Sequence, residues 1–362
     1  MSRETLIESE SPLCPVTAFA ERTENAVYFY LFYPLRKQQK SLFAPGNNLK
    51  ACWVCNCREA PAQLDSGDRL MMMPKGGFSH DPKGMTISKE DLHITWLHDG
   101  NSAVLHQNGN VLAVIPPKAG LYEFPGFSRY AVGQNRYAWE MPEELRQHFF
   151  GQVVECDQLW EHTHAEGFWQ SLQKMHLNIL GGFFGKNTGY YAIDEGKWPL
   201  RAVIEGKKNG VTYGFTAFLS MFTQPEIEVY IKDGWQHSRI EFGFAAEDAL
   251  ADSVKIQAYN CFMALAKYIY RDTVFFAHGH TNTWEGIPGF YAFLFLNARA
   301  VGEIASPQYP KLMGDPINLL WAVPITKDEY DFTVANGVGQ LLKRARDISR
   351  VNIFDGKPKF CV

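Results

Sequence analysis

Alternating polar and apolar positions dominate the first half of the chain and predict β-strands. Residues 93–97 alternate in this way, and residues 102–106 and 111–115 follow after short turns. Asn108-Gly109 separates the last two runs, and Asn-Gly between alternating hydrophobics is a strong hairpin signal because both central turn residues need positive φ. The three runs therefore predict a β-meander, and Pro116-Pro117 ends it because proline cannot donate to a strand ladder.

Two earlier runs are rich in aromatic and β-branched residues. The run AVYFYLFYPL begins at Ala26, and a second run covers residues 50–56. Both predict strands. Residues 1–24 are polar, and we expect them to form a weakly ordered tail, as we do for residues 351–362 at the other end.

Helical patterns follow the meander. Pro142-Glu143-Glu144 places a proline and two acids in a first helical turn, where the missing N–H and the negative charges are both favourable. This helix is predicted to reach Gly181-Gly182, with a break near Gly167. A second helix is predicted over residues 254–270, with Asp252-Ser253 as its N-cap. Its apolar residues recur at spacings of three and four positions, as on one face of a helix.

The second half contains many strand-like segments and few helices. The predicted strands cover residues 190–194, 200–205, 211–220, 227–232, 239–245, 273–277, 290–296 and 318–323. Strands and helices do not alternate regularly, so the pattern predicts an α+β fold rather than a doubly wound sheet. A chain of 362 residues exceeds the usual span of one core,. We therefore predict a β-rich N-terminal domain over residues 25–175 and a mixed-sheet domain packed with helices over residues 176–350.

Composition and charge exclude several classes of protein. A net charge of -4 gives no basic surface for nucleic acid,. No run of 18 apolar residues is present, so no membrane span is predicted, and the N-terminus lacks the apolar core of a signal peptide. The seven cysteines are irregularly spaced and odd in number, unlike a secreted disulfide framework,. A cytoplasmic protein is the expectation.

Cys52, Cys55 and Cys57 raise the question of a metal or redox site. A Cys-x-x-Cys pair can supply half of a zinc site, but a closed site needs two further ligands, and no second ligand pair of suitable spacing follows. The three residues lie in a predicted strand, whereas redox chemistry favours a helix N-terminus. The chain also lacks a nucleophile elbow and phosphate-binding glycine loops. We therefore predict neither catalytic residues nor a cofactor.

His278-Gly279-His280 leaves two interpretations open. In an extended segment both imidazoles project to the same side, so they could bind a metal ion with an oxygen from Glu285 or Asp315. A metal-assisted hydrolase using His278, His280 and Asp315 is then the alternative function. In the simpler interpretation the two rings cap a turn and hydrogen-bond to the backbone. The spacing fixes no carboxylate partner, which favours the simpler interpretation.

A set of short motifs in a fixed order resembles the suppressor-of-fused family in its bacterial form. They are Trp96-Leu97 with His98-Asp99-Gly100; residues 113–117 (AVIPP) and 124–127 (FPGF); residues 190–194 (YYAID) with Trp198-Pro199; residues 240–244 (IEFGF) and 278–281 (HGHT); Asp315-Pro316 with residues 319–321 (LLW); Pro324-Ile325-Thr326 with Glu329; and Asn336-Gly337 with Leu341-Leu342. The resemblance covers most of residues 45–345.

The resemblance implies an α+β fold and a non-enzymatic, protein-binding role without a cofactor. The animal relative grips an extended peptide as an added strand, and bacterial members have been proposed to neutralise toxins as immunity proteins. The implied partner is a polypeptide, either a toxin or an extended peptide, held in a groove between the two halves with residues 278–288 as a rim. The candidate partner-binding residues are His278, His280, Thr281, Trp284, Asp315 and Glu329.

Overall fold

The structure is a computed structural model that describes residues 3–34, 48–57, 79–80, 84–134, 136–193 and 195–362. It divides into two compact units. The first comprises Met1–His164 with Tyr270–Thr273, and the second comprises Ala165–Ile269 with Val274–Val362. Within the described ranges, the helices are too short or too polar to cross a lipid bilayer.

The first unit is built from short, mostly antiparallel strands and one long helix. Its elements are β1 (Glu4–Glu10), β2 (Thr17–Arg22), β3 (Ala26–Phe32), β4 (Leu49–Asn56), β5 (Ser79–His80), β6 (Leu92–Trp96), β7 (Ala103–Gln107), β8 (Asn110–Ile115), β9 (Phe127–Ser128), β10 (Ala131–Val132), β11 (Trp139–Glu140) and α1 (Glu143–His164). Strands β1 to β4 form one sheet in sequence order, a second sheet has the order β11-β9-β8-β7-β6, and β5 pairs with β10. The predicted meander is confirmed as β6 to β8.

The N-terminal segment differs from the expected weakly ordered tail, because β1 and β2 lie within it. Strand β2 pairs with β1 on one side and with β3 on the other. Leu6, Ala18 and Ala20 are buried at alternating positions. Two of these three residues are alanines, and polar residues surround them, which is why composition alone presents the segment as polar.

Helix α1 packs on the meander through an apolar stripe. Phe149 and Val153 join Val104, Val111 and Val114 in one buried cluster. Loss of a large buried ring such as that of Phe149 typically costs about 3–5 kcal/mol, so this helix face contributes strongly to the stability of the first unit.

The second unit carries a large mixed sheet with helices. Its elements are α2 (Phe168–Phe184), β12 (Asn187–Ala192), β13 (Ala202–Lys208), β14 (Val211–Ala217), a 3-10 turn (Leu219–Met221), α3 (Ile227–Tyr230), a second 3-10 turn (Gly234–His237), β15 (Arg239–Glu247), α4 (Asp248–Arg271), β16 (Thr281–Thr283), β17 (Ala292–Asn297), α5 (Ala298–Val301), β18 (Ile317–Ile325), α6 (Lys327–Asn336), α7 (Val338–Leu342), a third 3-10 turn (Ile348–Arg350) and β19 (Ile353–Phe354). The predicted α+β fold is confirmed.

The eight-stranded sheet has the order β12-β13-β14-β15-β18-β17-β16, and β19 pairs with β15. Neighbouring strands are antiparallel except that β15 runs parallel to β18 and to β19. Strand β12 therefore lies at one edge of the sheet, and β16 lies at the other.

Helices α2 and α4 cover opposite faces of this sheet. Phe184 of α2 stacks on Phe215, while Phe262 of α4 stacks on Phe242. Phe215 pairs in register with Gly243, and successive strand residues point to opposite faces, so Phe242 faces away from Phe215. The two helices enclose the sheet between them.

Two glycines in the sheet allow these helices to approach closely. A Cβ at Gly206 would lie 2.1 Å from the Phe184 ring, and one at Gly214 would lie 2.3 Å from the Tyr259 ring. Both separations are far below van der Waals contact. A larger residue at either position would therefore push a helix away from the sheet.

Three predicted local elements are wrong. The predicted strand over residues 227–232 is replaced by the short helix α3 (Ile227–Tyr230), because Glu226 turns the chain at φ 59° and Ile231 N–H donates back to the Ile227 carbonyl. Residues 273–277 form no strand, since the side chain of Gln224 bonds both the N–H and the carbonyl of Phe276. Helix α4 begins at Asp248, four residues before the predicted N-cap.

The C-terminal segment is also more ordered than expected of a tail. Strand β19 lies within it and pairs with β15. Phe360 is buried, and its N–H donates to Glu329 Oε1 at 2.8 Å. The end of the chain is therefore part of the second unit.

Candidate functional site

Strand β16 forms an edge of the large sheet, and it lies inside the predicted rim of residues 278–288. Its N–H and carbonyl groups alternate in direction. Phe295 N–H donates to the His280 carbonyl and Trp284 N–H donates to the Tyr291 carbonyl, so His280 and Trp284 face β17. By alternation, the main-chain groups of Thr281 and Thr283 point away from β17. Among the described residues no strand pairs with that outer side.

The two predicted histidines bond to the backbone, as the simpler interpretation predicted. His278 Nδ1 accepts a hydrogen bond from Asn297 N–H at 3.2 Å. The His280 imidazole hydrogen-bonds to the backbone of Phe275. Burial lowers the pKa of both imidazoles, so both favour the neutral form. Their role in the structure is to hold the chain that enters β16.

A row of aromatic rings leads from the surface to this edge. Tyr230 is 53% exposed and stacks on Phe275 at a centroid distance of 5.5 Å. Phe275 in turn lies 5.2 Å from the His280 ring. We call Tyr230, Phe275 and His280 the aromatic row. Its last ring belongs to His280, the residue directly before β16, so the row places apolar surface next to the start of this strand.

Trp284 follows β16 directly and is held in place by helix α4. Its indole N–H donates to Gln257 Oε1 at 3.4 Å, and its ring is half-buried. Gly286 lies against the same pair, where an added Cβ would approach Gln257 Oε1 to 2.2 Å. These contacts fix the exit of the rim loop, and Glu285 remains exposed.

Asp315 does not join the two histidines. Its Oδ2 accepts a hydrogen bond from Nε of the buried Arg239 at 3.0 Å. The described part of the chain contains no group of three or more histidine, cysteine, aspartate or glutamate side chains placed to hold a metal ion. The metal-assisted hydrolase built on His278, His280 and Asp315 therefore has no support in this geometry.

Glu329 is fully buried and serves the fold. It is the third residue of α6 and forms a capping box, in which its Oε2 accepts from Thr326 N–H at 2.7 Å. Its Oε1 accepts from Phe360 N–H. A side chain with both oxygens occupied and no exposed surface offers nothing to a partner, so Glu329 is not part of the candidate site.

The cysteines in β4 and directly after it have the environment of structural residues. Burial raises the pKa of the Cys52 thiol, and it raises that of Cys55 to about 12. Cys57 is partly buried, and its pKa is raised for the same reason. Thiols held in the neutral form are poor nucleophiles and poor metal ligands.

Two charged residues of β15 clamp the 3-10 turn Leu219–Met221. Glu241 Oε1 accepts from the N–H of Ser220 at 3.1 Å, at the start of the turn. Arg239 Nη1 donates to the carbonyls of Ser220 and Met221, at 3.2 and 2.6 Å, at its end. Both side chains are completely buried, and as residues two apart on a strand they share a face.

This buried clamp was not identified from the sequence. The available signal was the spacing of two charges, Arg239 and Glu241, within a strand of otherwise apolar residues. Charged side chains are almost never fully buried unless paired. That pattern indicates an internal polar cluster, although it does not reveal the groups on α2 and on other loops that complete it.

At the opposite edge of the sheet, no described strand pairs with the outer side of β12. Five of its six residues are exposed, and Tyr190 and Tyr191 are among them. Ile193 N–H donates to the Arg201 carbonyl at 2.8 Å, so by alternation the main-chain groups of Tyr190 and Ala192 point outward. A partner strand could therefore add to β12 as well as to β16.

The fold and these edges define a class, an α+β domain with one mixed sheet, helices on both faces and an open edge strand at each side. Residues 201–357 match the family model described as "Suppressor of fused protein (SUFU)". They begin one residue before β13, end three residues after β19, and form a suppressor-of-fused-type domain. The predicted resemblance is confirmed for this part of the chain.

Comparison with solved structures gives a more distant likeness. A chain from "the Sufu-Fu complex crystal structure" aligns over 51% of this chain and 91% of its own length, with 11% sequence identity and a TM-score of 0.37. A TM-score of this size does not establish a common fold. Among curated protein sequences, none matches the chain.

Proposed function

We propose that this protein is a non-enzymatic protein-binding module that holds an extended segment of a partner polypeptide against the β16 edge. The observation that carries the proposal is an open edge strand beside the aromatic row. Main-chain hydrogen bonds from Thr281 and Thr283 would supply affinity, and Tyr230 and Phe275 would supply a surface for an apolar side chain of the partner. The suppressor-of-fused-type domain supports a binding role.

The proposed contact residues are revised from those the sequence predicted. Thr281 stays as a main-chain contact, and His280 stays as part of the aromatic row. His278 and Trp284 hold β16 in position and are not proposed as contacts. Asp315 is also not proposed as a contact, because it pairs with the buried Arg239. Glu329 is removed because it is buried. More specifically, we propose that the partner is a bacterial toxin and that the protein is a cytoplasmic immunity protein that sequesters it.

A proline scan of the two edges tests where the partner binds. The partner is first recovered by cross-linking in the source cell and purified, and its affinity is then measured with each variant. Thr283→Pro removes an outward N–H from β16, and Thr283→Val keeps that N–H as the matched control. We expect the proline variant to weaken binding at least tenfold and the valine variant to bind normally. Tyr190→Pro makes the equivalent change on β12 and should leave binding unchanged.

Loss of binding with Tyr190→Pro and retention with Thr283→Pro would move the site to β12. Retention with both would contradict strand addition altogether. The aromatic row is tested in the same assay by Tyr230→Ala, for which Tyr122→Ala is a control, because Tyr122 is 95% exposed and belongs to the first unit. Only the Tyr230 variant should lose affinity.

A further inference from the structure

Three buried polar side chains converge on the α2 side of the large sheet. They are His176 of α2, Glu241 of β15, and Tyr309 of the segment between α5 and β18. His176 Nε2 lies 4.0 Å from Glu241 Oε1, and the rings of His176 and Tyr309 are 6.0 Å apart. Burial raises the pKa of the Tyr309 hydroxyl, and the nearby Glu241 charge raises it further. His176 and Glu241 have no exposed surface, and Tyr309 is 9% exposed.

Several polar atoms of this cluster lack partners among the described residues. They are both ring nitrogens of His176 and the hydroxyl of Tyr309. A separation of 4.0 Å is too long for a direct hydrogen bond from His176 to Glu241. Buried polar groups are almost always hydrogen-bonded to protein or to an ordered water. Unpaired atoms on two neighbouring rings therefore point to a molecule between them.

We propose that a bound water molecule lies among His176, Glu241 and Tyr309 and joins them into one hydrogen-bonded network. A water can accept from one of these groups and donate to two others, and internal waters typically make about three such bonds. A metal ion is a poorer occupant, because the cluster supplies only one carboxylate and one imidazole as ligands. An anion is also a poor occupant, because it would lie beside the Glu241 carboxylate and be repelled by it.

The network would link α2 to the clamped turn. Glu241 Oε1 accepts from Ser220 Oγ at 2.6 Å and Oε2 accepts from Thr216 Oγ at 2.6 Å. A water on Oε1 would extend this set of bonds to His176. Helix α2, the turn after β14 and the segment carrying Tyr309 would then share one polar junction inside the unit.

Tyr309→Phe separates a hydrated site from a dry one. In a dry site the tyrosine hydroxyl is unsatisfied, so its removal leaves the melting temperature unchanged or higher. In a hydrated site the same change removes a hydrogen bond to water, and we expect the melting temperature to fall by about 2 to 4 °C. Tyr259→Phe is the positive control, because the Tyr259 hydroxyl donates directly to Glu205 at 3.1 Å.

A double-mutant cycle and a crystal structure complete the test. If one water joins both rings, His176→Phe and Tyr309→Phe are coupled, and the double variant loses less than the sum of the two single losses. A crystal structure that resolves ordered waters should show one within hydrogen-bonding distance of His176 Nε2 and Tyr309 Oη. Additive losses, an empty space or a metal ion there would overturn the proposal.

Discussion

Burial of Glu241 ties its protonation to the stability of the second unit. Desolvation raises the pKa of this carboxyl from 4.5 to about 7, against the opposing effect of hydrogen bonds from Ser220 and Thr216. The nearby cation, Arg239, is already paired with Asp315. The folded carboxyl therefore binds its proton more tightly than the unfolded one. Its contribution to stability is complete below pH 4.5 and is lost as the pH rises through about 7.

Glu241→Gln removes this titration. We expect the free energy of unfolding of the wild type, minus that of the variant, to fall by about 3 kcal/mol between pH 4.5 and pH 8, at about 1.4 kcal/mol per pKa unit. Urea titrations at a series of pH values measure the difference. A difference that does not change with pH would contradict the buried-carboxyl assignment.

His176 should show the opposite slope. Burial lowers the pKa of its imidazole from 6.5 to about 4, so its contribution to stability is present above pH 6.5 and is lost as the pH falls through about 4. We therefore expect the free energy of unfolding of the wild type, minus that of His176→Phe, to rise by about 3 kcal/mol between pH 4 and pH 6.5. An equal slope for the two variants would show that the two groups do not titrate separately.

Asp315 holds a buried cation in place. Asp315→Ala leaves Arg239 Nε without its acceptor, and a hydrogen bond to a charged group contributes about 1.5–3 kcal/mol. We expect a loss of about 2 kcal/mol in chemical denaturation. Asp331→Ala is the control, because Asp331 forms an exposed ion pair with Lys327 and should cost less than about 1 kcal/mol. Equal losses would show that Asp315 has no special role.

At the scale of elements, one buried carboxylate joins the start of α6 to the C-terminal segment that carries Phe360. Glu329→Ala removes the bonds to Thr326 N–H and Phe360 N–H together, and we expect a loss of about 2–3 kcal/mol. Thr326→Ala removes only the helix cap and should cost about 1 kcal/mol. Asp328→Ala is the exposed control in the same helical turn. Faster protease cleavage near Phe360 in the Glu329 variant would confirm that the chain end has been released.

The elements predicted correctly are those whose signal is local. The hairpin between β7 and β8 follows from Asn108-Gly109, and the first helix follows from the proline and acids that open α1. The failures have long-range causes. Residues 273–277 look like a strand, but the side chain of Gln224 meets their backbone groups. No pattern along the chain shows that contact between residues 52 positions apart.

The same distinction applies to the candidate site. The sequence favoured backbone bonds for His278 and His280, and the structure shows those bonds. The rim over residues 278–288 stays a prediction. The sequence did not show that β16 lies at an edge, because strand order depends on which strands pair. It also did not show that Asp315 pairs with Arg239, 76 positions away.

At the scale of the whole molecule, the described part of the chain leaves the outer sides of β12 and β16 without a paired strand. Unpaired edge strands present rows of N–H and carbonyl groups that readily add another strand, and natural proteins usually cover or charge them. Strand β16 (TNT) and strand β12 (NTGYYA) contain no charged residue. The aromatic row lies beside β16, which is why we assign the partner to that edge.

Hydrogen–deuterium exchange of the full chain with and without its purified partner tests this assignment most directly. We predict that the amides of Thr281 and Thr283 exchange at least tenfold more slowly in the complex, while those of Tyr190 and Ala192 do not change. Protection confined to β12, or an unchanged exchange rate at β16 in a saturated complex, would contradict the account.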